Sequence, residues 1–293
     1  LHTAYRRQRQ MCIRDRNYQA VGEGLDAGSV DVGYGMSATT YAMYQDGSTP
    51  LLMATRKGLS NDASDSAKYW NEHKPTTKTD KEVTSYRSLI IAGNSPMGKK
   101  LAKEANDGTL TWKDLNEAKW GLESTSSAAG YMYPSQWLTD NFKHSIRDLK
   151  NTVTMDSYDS AMAQLASGQI DVMPEYADAR MDDAAKWTTT FGAKESIWDD
   201  TNVIGVTPAI ANDGIMVSEK SKIMTADFKK ALSAAIKDMA KTDEGKKVIA
   251  IYSHDGYVDS TKADYKTAIK VANSMSKACL LYTSDAADDM QCV

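Results

Sequence analysis

The stretch Glu123–Leu138, ESTSSAAGYMYPSQWL, holds the residues whose types and spacing point most directly to chemistry. Trp120-Gly121-Leu122 before it reads as a strand end, and Tyr131–Leu138 after it reads as helix. Ser124, Thr125, Ser126 and Ser127 therefore stand at a strand-to-helix junction, followed by the small Ala128, Ala129 and Gly130. A helix N-terminus presents unpaired N–H groups and the positive end of its dipole. Small residues let an anion reach that backbone, and hydroxyls add neutral donors. Two readings stand at this point: an ordinary serine N-cap, or a site for a small oxyanion. Four hydroxyls beside three small residues exceed what a cap needs. Pro134 would fall about two turns into the helix, where its missing N–H predicts a kink or a restart.

Other candidate groups carry less. Gly22, Gly24 and Gly28 spell GxGxxxG, but a dinucleotide fingerprint needs a strand before it and a helix opening at it. Here the glycines lie inside a helix-to-strand segment, so no dinucleotide site is expected. His254-Asp255 suggests a catalytic pair, yet no nucleophile motif such as GxSxG accompanies it. The histidines show no metal-ligand spacing, and each is expected to be exposed and idle. Asp182 and Asp183 read as a solvated face. Glu175 and Asp178 directly follow the apolar run Ile170–Met173, at the strand end where open α/β sheets bind ligands. Surface acids on a loop are the other reading for Glu175. No catalytic residue, cofactor or metal is implied.

The elements that must position these residues emerge from an internal repeat. Tyr18, Leu25, Gly28, Asp31 and Val32 recur as Tyr158, Leu165, Gly168, Asp171 and Val172. Each copy reads as a helix, a glycine stop and a short apolar strand, with Ala161, Met162, Leu165 and Ala166 on one helical face. Two similar α/β lobes fit this better than a solenoid, and Tyr34 and Ser37 then follow the first strand as Glu175 and Asp178 follow the second. Tyr86–Ala92, Val203–Thr207 and Gly214–Ser218 are further β-type runs. Asn61–Lys81 is polar and reads as a surface loop with one helical turn around Tyr69 and Trp70. Thr225 caps a predicted helix whose apolar face includes Phe228, Leu232, Ile236 and Met239.

Composition bounds the rest. A chain of 293 residues suggests about two domains. Its net charge of -4 argues against a nucleic-acid partner, which asks for a basic face. No uncharged apolar run approaches the ~18 residues of a membrane helix. Residues 1–16 and 279–293 look foreign to the body and contain all three cysteines, Cys12, Cys279 and Cys292. The body therefore has neither disulfide nor thiol chemistry, a composition compatible with export. The repeat beginning at its helix leads to the expectation that an N-terminal strand and helix are missing.

Gly28–Tyr41 (GSVDVGYGMSATTY), Ser85–Gly93 (SYRSLIIAG), Leu110–Leu115 (LTWKDL), Ser126–Leu138 (SSAAGYMYPSQWL) and Ile210–Ser218 (IANDGIMVS) together resemble the phosphate, phosphite and phosphonate solute-binding proteins that feed ABC importers. The resemblance runs from Tyr18 to Met275. It implies a two-lobed periplasmic-binding-protein-like α/β fold with two hinge crossovers, near Asn94–Pro96 and Ala209–Ala211. Lobe I would take residues 17–94 and 211–278, and lobe II residues 95–210. It further implies a monomer outside the cytoplasmic membrane, periplasmic or anchored there, handing a small phosphorus oxyanion from an inter-lobe cleft to importer membrane subunits. Carried over by position, Ser126, Ser127, the Ala128 backbone and Tyr86 would hold phosphonate oxygens, with Thr125 or Ser126 substituting for the two hydroxyls absent at Ala128 and Ala129. Asp178 and Asp213 fall where aminophosphonate binders place acids around the amine. Tyr158 stands where many members have histidine, and Tyr34 or Tyr41 corresponds to a cleft tyrosine. The alternatives are an enzyme on this fold, or a binder of another oxyanion or a neutral solute.

Overall fold

A computed structural model describes residues 18–285 of the chain. Along it run β1 (Val32–Met36), β2 (Ser48–Leu59), β3 (Lys78–Val83), β4 (Ser85–Tyr86), β5 (Ser88–Ala92) and β6 (Trp120–Leu122). They are followed by β7 (Thr152–Thr154), β8 (Val172–Tyr176), β9 (Asn202–Val206), β10 (Ile210–Ala211), β11 (Gly214–Ser218) and β12 (Gly256–Asp259). Helices alternate with them over most of the length, which makes the chain an α/β protein. No helix among the described residues is long and apolar enough to cross a membrane.

Two compact units form. One takes the described residues up to Thr55 together with Asn212–Ile269, and the other takes Arg56–Ala211 and the described residues from Lys270. The first division falls inside β2, not near Asn94; the second, between Ala211 and Asn212, lies one residue from the expected place. β2 gives no sign of this in sequence. It is one uninterrupted extended run whose earlier residues pair with β11 and β12 and whose last residues pair with β3.

In the first unit the strand order is β1-β11-β2-β12, all antiparallel. Leu52 and Ile215 pack there against Ile236 of the helix Ala226–Met239. Thr225 caps that helix by accepting from the Phe228 N–H, although Phe228 itself is exposed. In the second unit the order is β7-β6-β8-β5-β9, with β6 parallel to both β7 and β8, and β5 antiparallel to β8 and β9. Every residue of β5 is buried, as the unbroken apolar run Leu89–Ala92 requires of a central strand. Trp70 is fully buried in this core and donates to the Ser64 carbonyl, so the Asn61–Lys81 segment is more than a surface loop. Its polar neighbours conceal one large anchor.

Both copies of the repeat fold as the residue types dictate, one in each unit. The helix Tyr18–Ala27 stops at Gly28, φ 79°, before β1, and the helix Tyr158–Ala166 is followed by Gly168, φ 69°, before β8. The left-handed backbone that ends each helix is why glycine recurs there. Of the ends that look foreign, residues 279–285 continue the helix Lys266–Asp285. Residues 1–16 and 286–293 lie outside the described residues.

Candidate functional site

The serine-rich segment begins where β6 ends. Trp120, Gly121 and Leu122 are buried, and the chain then turns through Glu123–Ser127, closed by the Ser127 N–H donating to the Ser124 carbonyl at 2.9 Å. Ser127 is the N-cap: its backbone is extended and its Oγ accepts from the Gly130 N–H at 3.1 Å. Ala128–Met132 then form a wide π-turn that passes into the α-helix Tyr133–Phe142. This is the restart that Pro134 predicts, because at the second position of an α-helix its missing N–H breaks no bond. Ser88 Oγ on β5 donates to the Ala129 carbonyl at 2.7 Å and anchors the turn to the sheet. Glycine fits at position 130 without displacing its neighbours, since a Cβ there would run into Glu123 Cβ and lie 2.5 Å from Glu123 Cγ and 3.0 Å from Ser127 Oγ.

Two further side chains of the second unit, Tyr158 and Glu175, join Glu123 at this turn. Tyr158 is set by the helix Tyr158–Ala166, which Ser157 caps, and its hydroxyl lies 3.3 Å from Ser127 Oγ. Its ring meets Tyr176 edge-on at 5.6 Å. Loss of water raises the Tyr158 phenol well above the ordinary tyrosine value. Glu175, on β8, is fully buried and neither carboxyl oxygen has a hydrogen-bond partner. Burial, then the charges of Asp183 and Glu123, push it well above the carboxylate range. Glu123 also has a buried, unpartnered oxygen, Oε1, and is pushed up to about 7 by burial first and Asp156 second. Ser127, Tyr158, Glu123 and Glu175 thus form one polar cluster at the start of a helical segment. Its hydroxyls and first-turn N–H groups are donors suited to an oxyanion.

The remaining candidates divide. Thr125 is exposed on the turn, and Ser126 is half-buried with its Oγ 3.3 Å from Ser124 Oγ. Tyr86, on β4, lies under the Arg56 guanidinium at 4.7 Å. Asp178 differs from expectation. Its carboxylate accepts from Arg180 Nε and Nη2 at 2.8 Å each, from the Arg180 N–H at 3.2 Å and from Thr76 Oγ1 at 2.7 Å. The strand-end position invites a ligand role, but an arginine two residues on and the Thr76 hydroxyl occupy its acceptor sites. Tyr41 is 1% exposed, packed on Tyr265 at 4.9 Å with its hydroxyl unpartnered, so it is a core residue of the first unit. Its phenol is pushed up to about 12 by burial, then by Glu219 and Asp46.

Tyr34 and Asp213 belong to a separate cluster in the first unit. Tyr34 is exposed and meets Tyr257 edge-on at 6.0 Å. Asp213 Oδ2 lies 3.8 Å from His254 Nε2, and His254 Nδ1 lies 3.5 Å from the Tyr257 hydroxyl. His254 is therefore buried with Asp213 as its acidic neighbour, and not the exposed, idle residue the sequence suggests. Burial raises the Tyr257 phenol well above its ordinary value, helped by Tyr34 and Asp213. Sequence reasoning missed Glu123 as well as Tyr257. The one signal for Glu123 was an acid placed directly after an apolar strand.

A family model described as ABC transporter, phosphonate, periplasmic substrate-binding protein matches residues 13–265. No curated protein sequence matches the chain. Among solved structures it is similar to Mycoplasma hyorhinis Mh-p37, a putative thiamine pyrophosphate transporter, at 13% identity and TM-score 0.66, covering 86% of this chain and 82% of that one. It is similar to PhnD1 from Prochlorococcus marinus in complex with methylphosphonate, at 14% identity and TM-score 0.59, covering 89% and 84%. XAC2383 from Xanthomonas citri, bound to ATP, is similar at 13% identity and TM-score 0.61, covering 89% and 83%. At such identities the likeness establishes the fold.

Proposed function

The chain belongs to the periplasmic phosphonate substrate-binding proteins of ABC transporters, and from that premise we propose that it captures a small phosphonate, or the related phosphite or phosphate, on the serine-rich turn of its second unit. As a member of the family it is a solute-binding component, acting outside the cytoplasmic membrane together with the transporter's membrane subunits. The observation that carries the ligand reading is the Ser127 hydroxyl. It caps the turn, lies 3.3 Å from the Tyr158 hydroxyl and remains partly exposed. An acidic chain cannot hold an anion by net field, so directed N–H and O–H donors must do so.

In this reading Ser127, Tyr158 and the backbone at Ala128 hold the oxygens, with Ser126 and Thr125 at the rim of the turn. Thermal shift and isothermal titration with phosphate, phosphite, methylphosphonate and 2-aminoethylphosphonate test it. At least one of them is expected to raise Tm and bind. Ser127→Ala is expected to cost that ligand about 1–2 kcal/mol, the contribution of one hydrogen bond to a charged group, because the backbone donors remain. Silence from all four ligands, or no loss in Ser127→Ala, refutes the assignment.

A further inference from the structure

Resting on that reading, we propose that Glu123 is part of the oxyanion site: its carboxyl group, carrying a proton, donates a hydrogen bond to a phosphonate oxygen, and the protein takes up that proton as the ligand binds. The geometry begins at Gly130. One point beside its backbone lies 2.5 Å from Glu123 Cγ and 3.0 Å from Ser127 Oγ, so the two side chains flank the same part of the first turn. Glu123 Oε1 is buried without a hydrogen-bond partner. A buried polar atom left without a partner is costly, and a ligand that supplies one removes the cost. Ala128 and Ala129, which follow Ser127, bring no hydroxyl, so side-chain donors beyond Ser127 must come from other positions.

The groups that face Glu123 decide its charge. They are Asp156 from the loop before the helix Tyr158–Ala166, Tyr158 from that helix, Glu175 from β8 and Ser127 from its own turn. None of these is a cation. An ionised Glu123 would therefore face acids without a counter-charge, and a bound oxyanion would add to the conflict. A proton resolves it and converts an acceptor-only group into a donor. Burial already holds this carboxyl near neutrality, at about 7. A neighbouring anion raises it further, and proton uptake on binding follows. An ammonium group seated on ionised carboxylates would do the reverse and release protons.

The sign of that proton exchange is the test. Methylphosphonate is titrated calorimetrically into the full chain, in buffers of different ionisation enthalpy, from pH 6 to pH 8.5. Glu123→Gln serves as reference, because it keeps a neutral donor, cannot titrate, and subtracts the ligand's own protonation. Relative to that variant, wild type is expected to lose about tenfold in affinity per pH unit above its titration, and to take up close to one extra proton at pH 8. Glu123→Ala is expected to bind about tenfold more weakly than Glu123→Gln at pH 6. Identical pH profiles for wild type and Glu123→Gln overturn the proposal and leave the phosphonate reading standing. Proton release with 2-aminoethylphosphonate overturns it in favour of an amine on the carboxylates. Side-chain carbon NMR of ligand-free wild type gives an independent answer: with no glutamate carboxyl titrating near neutrality, the proposal falls. No binding of any phosphonate at any pH instead removes the functional reading on which it rests.

Discussion

Replacing Asp178 by asparagine separates a structural role from a ligand role. The carboxylate and the Arg180 guanidinium are both fully shielded from solvent, and four hydrogen bonds converge on the two oxygens. Asparagine removes the charge and points an amide N–H at a cationic donor, while the guanidinium stays buried. It lies over the Trp198 ring at 4.9 Å, and its Nη1 already lacks a partner. Removing one side of a buried pair costs about 3–5 kcal/mol, mostly the penalty of the uncompensated charge. For a unit of this size each kcal/mol moves Tm by about 2–4 °C, so a fall on the order of 10 °C is expected. A thermal melt followed by tryptophan fluorescence measures the fall in Tm, and urea denaturation measures the loss in free energy. The double variant Asp178→Leu, Arg180→Met is expected to recover most of the loss, since it removes both buried charges. An Asp178→Asn protein as stable as wild type, with a selective loss for 2-aminoethylphosphonate over methylphosphonate, would refute this reasoning and place the carboxylate on the ligand.

Three further outcomes follow from the same residues. Tyr41→Phe deletes a buried hydroxyl with no partner, so stability is expected to stay level or rise, and methylphosphonate affinity to stay unchanged in calorimetry. Gly130→Ala places a methyl group against Glu123 and Ser127, and is expected to cost about 1–3 kcal/mol in denaturant melts and to weaken ligand binding. Glu123 is raised from 4.5 to about 7 on folding. The folded state therefore holds a proton that the unfolded chain gives up at lower pH, and stability should fall as pH climbs through that interval. Urea melts across it should show a slope shallower by about one proton in Glu123→Gln than in wild type, the contribution of Glu175 remaining in both.

Short-range chemistry was legible in the residues themselves. The helix–glycine–strand repeat, the Thr225 cap, the restart at Pro134 and the Ser127 turn all follow from backbone preferences acting over a few positions. So did the resemblance, because the serine-rich junction is contiguous. Tertiary structure decided which polar groups share a space. Asp178 and Glu175 stand three residues apart at one strand end, yet one is matched by Arg180 and the other is left without a partner. His254 turns to Asp213 and not to its neighbour Asp255. Tyr41 goes to the core and Tyr34 to the surface, although both follow the first repeat. Sequence spacing determines which face of an element a side chain occupies. The charge and exposure of that side chain depend on whatever distant segment packs against the face, and for Glu123 that segment includes Asp156, Tyr158 and Glu175.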